Sequence, residues 1–256
     1  GANLTPRGGV MYFSHFLSEN GQFEALVDQF PLAYQSNNAP SKHQILATML
    51  CGILEGASRY AHLSHIKGDK ISAKAFGIKG FVSEDSVRRG LKKVCHTHAA
   101  ECCQALQTCI NNTLYPLLTE PYVLDLDTSV KTIYGHQEGA EVSYNPRKPG
   151  RPSHNLHLGF IGTLRLIAFV AVQKGKEHAP IHMANDLWKW WDSLPVQMRP
   201  SIIRGDCAYG TETYLKACEQ RNQSYLFKLK MTKRTRELTA KAAAYDSDWR
   251  RAPGTD

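Results

Sequence analysis

Three aspartates stand where apolar runs give out. Asp125 and Asp127 lie two apart in "YVLDLD", and Asp206 closes "SIIRGD". Carboxylates two apart in a strand share a face. In open α/β sheets, side chains at the carboxyl ends of strands are the ones that loops can shape into a site. If the two runs are central, parallel neighbours, Asp127 and Asp206 converge at one end of the sheet. Two anionic oxygen ligands brought together repel unless a cation joins them, and Mg2+ or Mn2+ suits such hard donors. A paired site of this kind activates a water or a 3′-hydroxyl and stabilises the leaving oxygen of a phosphodiester. Each acid has a plainer reading when taken singly: Asp206 could cap a helix beginning near Thr211, and Asp125 could be salt-bridged. Taken together, the metal reading is the better one.

Other chemistry-bearing clusters are weaker. "CHTHAAECC" mixes Cys and His, but a helix turns His96 and His98 apart and no Cys-x-x-Cys is present, so small buried thiols are expected there. His178 and His182 stand at i and i+4 without a third ligand and read as ordinary histidines. Trp188, Trp190 and Trp191 could offer a base-stacking platform; packing of a helix on a sheet is the stronger reading for Trp188 and Trp191. "YLFKLKMTKRTR" gathers Lys228, Lys230, Lys233, Arg234 and Arg236. Lys228 and Lys230 share one strand face by the period of two, as phosphate contacts or as a solvated edge.

The elements that must position these residues change character near Pro121. Before it, "SKHQILATMLCGILEGASRYAHLSHI" spaces Ile45, Met49, Ile53 and Leu46, Leu50, Leu54 as a helix, with Ser41 as N-cap. "SEDSVRRGLKKVCHTHAAECCQALQTCINNTLYPLL" continues helically, capped by Ser83 with Glu84 and Asp85 in the first turn. Val87, Leu91 and Val94 form its apolar face, and Pro116 ends it. Arg88, Arg89, Lys92 and Lys93 lie on its wetter side, a solvated face before it is a DNA contact. After Pro121, "YVLDLD" is a short strand, and "NLHLGFIG" and "LRLIAFVAV" are two strands turned about "GTLR". A helix through Ile181, Leu187, Trp188 and Trp191 follows, then "SIIRGD" as a strand, "TETYLKACEQRN" as a helix and "SYLFKLK" as a strand. That order gives an α/β fold with a mixed sheet.

The chain has 256 residues, 42% of them hydrophobic and 21% charged, which is ordinary for a globular protein able to bury a core. No apolar stretch approaches bilayer length, and "LIAFVAV" is strand-sized. The start lacks the basic-then-apolar pattern of a secretory signal, and without an initiator Met the sequence reads as a fragment. Seven cysteines without framework spacing fit reduced thiols and a cytoplasmic location. The net charge of +8 is uneven: residues 1–120 hold 11 Lys/Arg against 9 Asp/Glu, and residues 121–256 hold 20 against 14. A basic excess of this kind favours polyanionic partners, nucleic acid first, with simple solubility as the plainer reading.

Several ordered motifs together resemble the DDE transposases of bacterial insertion sequences, which have an RNase H-like catalytic fold. They are Asp125-Leu126-Asp127-Thr128, the "YGHQEGA" run from Tyr134 to Ala140, Tyr144-Asn145, Gly150 to Ser153, and Arg204-Gly205-Asp206. The likeness covers residues 121 to about 230 well and the helical part more loosely. It implies a helical region over 1–120 with possible DNA-end binding, and an RNase H-like domain over 121–256 in which an insertion begins near 231. It assigns the first two metal-ligating catalytic acids to Asp127 and Asp206, with Asp125 as fallback for the first. The third, a Glu on a late helix, has no match: Glu212 and Glu219 fall on the wrong helix and Glu237 comes too early, as expected of a chain truncated within the insertion. The implied activity is Mg2+- or Mn2+-dependent cleavage at transposon ends followed by strand transfer. The implied partner is double-stranded DNA, both ends and target, bound by a homo-oligomer with no membrane involved. Arg147, Lys148 and Arg151 of "YNPRKPGRPSH" would then follow the phosphates, joined by Lys228 and Lys230. Pro146, Pro149, Pro152, Gly139 and Gly150 keep that loop extended. Gln137 and Glu138 could support the site or the DNA, or form a polar turn. A nuclease of the same fold that cuts without joining, and an inactive DNA-binding descendant, are the alternatives.

Overall fold

The computed structural model describes residues 4–177 and 180–245; His178 and the chain from 246 onward lie outside the described residues, as do the side chains of Cys95 and His96. Contacts divide the chain into two compact units, residues 1–113 and 114–256. Among the described residues no helix is long and apolar enough to cross a membrane.

The first unit is all helical: α1 (Gly8–Asn20), α2 (Gln22–Gln29), α3 (Lys42–Leu54), α4 (Lys70–Ala75), α5 (Glu84–Thr97) and α6 (Ala99–Leu114), the last running to the unit boundary. Ser41 caps α3 in a reciprocal box, its hydroxyl accepting from Gln44 N at 3.1 Å while Gln44 Oε1 accepts from Ser41 N at 3.1 Å. Ser83 caps α5 by accepting from Ser86 N at 3.2 Å. The buried face of α3 departs from the expected stripe. Ile45 and Leu46 are buried, but Ile53 and Leu54 are 58% and 41% exposed. Small residues take the inner face of the last turn because Leu63 packs there; a Cβ on Gly52 would stand 2.1 Å from its Cδ2.

The single helix expected from Ser83 to Pro116 is broken at His98, whose φ of −135° leaves the helical range, so α5 and α6 are separate. On α5, Val87 and Val94 are buried. Arg88 and Arg89 both pair with Asp85, the latter at 3.0 Å, and Lys93 Nζ donates to Ala33 O at 2.6 Å. Much of the basic stripe on this helix is therefore already engaged.

Asp69 caps α4 and anchors the start of the unit. Its Oδ1 accepts from Ile71 N at 3.1 Å and Ser72 N at 3.0 Å, and its Oδ2 takes Thr5 Oγ1 at 2.6 Å and Arg7 Nη1 at 2.9 Å. Burial alone would raise this carboxyl, but the hydrogen bonds from Thr5, Ser72 and Arg7 outweigh it and hold it well below the usual carboxylate range. A carboxyl depressed in the folded state stabilises fully above its unfolded value near about 3.9, and that contribution disappears as pH falls toward the folded value. Acid titration followed by circular dichroism is expected to show helix loss beginning below about pH 4. Asp69→Asn should flatten this dependence while lowering stability at neutral pH by about 2 kcal/mol in a urea melt.

The second unit is built on six strands: β1 (Val123–Thr132), β2 (Glu141–Val142), β3 (Pro152–Ile161), β4 (Leu166–Gln173), β5 (Ile202–Gly205) and β6 (Tyr225–Phe227). α7 (Ala184–Ser193) joins β4 to β5, α8 (Glu212–Gln220) joins β5 to β6, and α9 (Lys233–Tyr245) follows. The sheet runs β4-β3-β1-β5-β6, with the short β2 against the start of β3. β1 is antiparallel to β3 and parallel to β5, and β6 is parallel to β5. A meander of three strands with two parallel strands added beside the first is the RNase H-like order expected from the sequence.

β3 alternates buried and half-buried along its whole length. Its inner face lies beside Leu124, Leu126 and Ile203, which are buried, as are Trp188 and Trp191 of α7 and Tyr214 of α8, the last against Phe227 of β6 with ring centroids 6.2 Å apart. The tryptophans do not form a stacking platform: all three are at most 7% exposed, Trp190 included, with Trp190 on Phe169 at 5.7 Å between ring centroids. Gln223 takes the Trp191 indole N–H at 2.9 Å, so the buried polar handle is satisfied.

Candidate active site

β1 is longer than the sequence suggested. Its antiparallel pairing with β3 continues to Thr132↔Ser153, while its parallel pairing with β5 stops at Leu126↔Gly205. Asp127 therefore lies within β1, at the end of the parallel junction and not at the end of the strand. Gly205 is also the register partner of Phe227. The residues that follow these three partners are Asp127, Asp206 and Lys228, a row at the end of the parallel junction, where β5 and β6 stop and β1 runs on.

The aspartates differ in what already holds them. Asp125 faces its register partner Arg204, which grips both carboxylate oxygens, Nη2 to Oδ2 at 2.9 Å. Asp127 and Asp206 are both exposed, and among the described residues neither has an ion pair. Asp127 Oδ1 accepts from Thr128 N at 2.8 Å, and Asp206 Oδ1 accepts from Ala208 N at 2.9 Å. Asp206 does not cap α8; Thr211 occupies that place without a side-chain bond. It instead closes a turn in which Tyr209 N donates to Asp206 O at 3.1 Å.

Tyr209 is acted on by both acids. Its phenol is 1% exposed and hydrogen-bonds Thr128 Oγ1 at 2.9 Å. Burial pushes this phenol far up, the Thr128 bond opposes that, and the negative charges of both Asp127 and Asp206 add to it. One phenol thus feels both carboxylates. Two hard carboxylates that, among the described residues, have no partner on Oδ2 and no basic partner match the donor chemistry of a divalent cation. Among the described residues no group of three His, Cys, Asp or Glu side chains is arranged to hold a metal ion. Glu212 pairs with Lys216 at 2.6 Å, Glu219 accepts from Tyr225 OH at 3.1 Å, and Glu237 sits on the exposed α9.

The basic residues fall in two places. Arg147, Lys148 and Arg151 are exposed on the connection between β2 and β3, and among the described residues none has an acidic partner. This connection turns and is not extended throughout: Arg151 N donates to Lys148 O at 3.1 Å, and Gly150 takes a φ of +77° that only glycine adopts freely. Asn145, 4% exposed, pins its base to β1 by donating to Thr132 Oγ1 at 3.0 Å and accepting from Lys148 N at 3.0 Å. Gln137 and Glu138 lie in the exposed loop before β2. Lys228 and Lys230 are exposed, yet β6 ends at Phe227, so they share no strand face. Only Lys228 keeps contact with the sheet, donating its backbone N–H to Gly205 O at 3.3 Å.

The sequence offered no sign that Thr128, His157 and Tyr209 would meet. Thr128 Oγ1 also bonds His157 Nδ1 at 2.9 Å. Only the hydroxyl after Asp127 and the tyrosine three residues after Asp206 could have hinted at it.

Comparison with known proteins gives one family match: the model described as "Transposase DDE domain group 1" covers residues 1–253. No curated protein sequence matches. Among solved structures, the chain is similar to the piggyBac transposase synaptic complex with hairpin DNA, at 12% identity over 100% of this chain and 47% of that one, with a TM-score of 0.41. It is similar to the Mos1 transposase paired-end complex at 12% identity, over 76% of this chain and 61% of that one, with a TM-score of 0.30. The HTLV-2 integrase catalytic core domain in complex with magnesium matches at 14% identity, over 52% and 78%, with a TM-score of 0.29. The assignment rests on the family match and the strand order, not on these distant likenesses.

Proposed function

This chain belongs to the transposase DDE domain group 1 family, and on that premise we propose that it is a DNA transposase whose Asp127 and Asp206 hold Mg2+ or Mn2+. The reaction is cleavage of a phosphodiester at the ends of a mobile element, then transfer of the freed 3′-hydroxyl onto target DNA. What supports this most is the contrast among the aspartates: Asp125 is paired with Arg204, while Asp127 and Asp206, which follow the register partners Leu126 and Gly205, have no ion pair among the described residues. A bound divalent cation would supply charge stabilisation at the scissile phosphate and a more acidic attacking water.

The protein's own share is placement. Lys228, next in the row after Asp206, is suited to a phosphate oxygen, with Lys230 beyond it. Arg147, Lys148 and Arg151 suit the backbone of double-stranded DNA approaching the same sheet end. The enzyme would act as a homo-oligomer on paired ends in the cytoplasm.

The test is a mixture of labelled duplexes bearing the element's ends with a circular target and Mg2+ or Mn2+. Joined products are expected. Cut ends that never join would replace this reading with that of a nuclease, and uncut, unjoined DNA would remove it. A triple alanine variant at Arg147, Lys148 and Arg151 should weaken binding to all duplexes alike. Its plot of log affinity against log salt should be shallower by roughly one unit per lost phosphate contact, about three in all. An unchanged slope would place the DNA elsewhere.

A further inference from the structure

We propose that the Thr128 hydroxyl, held between Tyr209 and His157, is the positioning element that fixes Asp127 and Asp206 relative to each other for metal binding. The inference rests on the metal reading above, but concerns residues other than the two acids.

Thr128 follows Asp127 in β1, so its side chain points to the opposite, covered face of the sheet. There its oxygen meets Tyr209 OH at 2.9 Å and His157 Nδ1 at 2.9 Å. Both partners are fully enclosed, at 1% and 0% exposed. His157 Nε2 lies 3.3 Å from the Glu177 carbonyl, which can only accept, so Nε2 carries a hydrogen and extends the network to that carbonyl.

The chain joins the two halves of the acidic pair. On one side, the Thr128 backbone N–H holds Asp127 Oδ1 at 2.8 Å. On the other, the Tyr209 backbone N–H closes the turn on Asp206 O at 3.1 Å, and within that turn Ala208 N–H holds Asp206 Oδ1 at 2.9 Å. Thr128, which orients the Asp127 carboxylate, and Tyr209, which closes the Asp206 turn, are thus tied together side chain to side chain. The Tyr209 ring lies against Gly205, where an added Cβ would be 3.0 Å from it, so the ring cannot shift toward β5. Tyr209 also packs edge-on against Tyr214, ring centroids 5.5 Å apart, which closes its other side. Two carboxylates that repel each other will splay unless their backbones are fixed. Groups that orient metal ligands from behind commonly change affinity about ten- to a hundred-fold when removed.

The experiment titrates Mn2+ into the intact chain, following unbound Mn2+ by paramagnetic resonance. Thr128→Val keeps the strand-favouring branched shape and removes the hydroxyl; Tyr209→Phe keeps the ring and removes its hydroxyl. Both are expected to weaken Mn2+ binding about ten-fold or more, while melting without metal shifts by no more than about 5 °C. Thr128→Ser, which restores the hydroxyl, should bind as the unaltered protein does. Asp127→Asn separates the two levels of the argument. If it abolishes binding while Thr128→Val and Tyr209→Phe leave it intact, this inference fails and the metal reading stands. If the unaltered chain binds no Mn2+, or Asp127→Asn still does, the metal reading fails and takes this inference with it. Should one variant not fold, the other decides.

Discussion

Asp127→Asn and Asp206→Asn are each expected to lower end cleavage by roughly a thousand-fold or more at saturating Mg2+. Asparagine keeps the volume and a carbonyl oxygen, but it removes the charge that offsets a divalent cation's own. Several kcal/mol of transition-state stabilisation depend on that cation, and each 1.4 kcal/mol or so is a factor of ten in rate. Asp125→Asn provides the contrast, because Arg204 already neutralises Asp125. Its loss should cost less than about ten-fold, by freeing a guanidinium near the site. The measurement is single-turnover nicking of an end-labelled duplex with all three variants side by side. Equal losses at 125, 127 and 206 would mean that the strands and not the acids were being probed. Cleavage retained by either Asp127→Asn or Asp206→Asn would remove the mechanism. Thermal melts supply an independent reading: Mn2+ should raise the melting temperature of the unaltered chain, by the linkage between binding and folding, and should not raise that of Asp127→Asn or Asp206→Asn.

Gly210→Ala should be the most damaging single methyl group that can be added near the site. A Cβ there would stand 2.1 Å from the Lys228 carbonyl oxygen and 3.0 Å from its carbon. Both are backbone atoms, so no side chain can yield; the loop after β5 and the end of β6 must separate. Overpacking of this kind costs about 3 kcal/mol, and the displacement lands between Asp206 and Lys228. Urea unfolding should show the lost stability, and cleavage should fall in the same variant even at temperatures where it remains folded. Stability within about 0.5 kcal/mol of the unaltered chain would show that the two segments are not in contact.

Much of this was legible in the sequence because the signals are local. Apolar runs that stop at Asp127 and Asp206 gave the strands, and Ser41 and Ser83 before helical patterns gave the caps. Helix and strand order after Pro121 followed from the change of period. What stayed hidden depends on partners far along the chain. The continuation of β1 past its acids is imposed by β3, whose pairing reaches Ser153. The early end of β6 reflects where its partner β5 stops, at Gly205. Ile53 and Leu54 carry a helical period into solvent because Leu63 occupies the space beneath Gly52. The break at His98 has no Gly or Pro to announce it, and the burial of Trp190 is decided by Phe169. At the site, the residue types of Asp125 and Arg204 were visible, but their pairing needs the register of two strands that nothing local specifies.

That pairing also bears on how the molecule comes together. Asp125 and Arg204 are 79 positions apart, whereas β3 and β4 meet through a short turn at Gly162–Arg165. Loop closure favours near partners, so the three-stranded meander can assemble before β5 arrives beside it. An intermediate of that sort would display most of its β signature and yet own only half of the proposed ion-binding pair. Sensitivity to Mn2+ during refolding should therefore appear late, as a report that the crossover has closed.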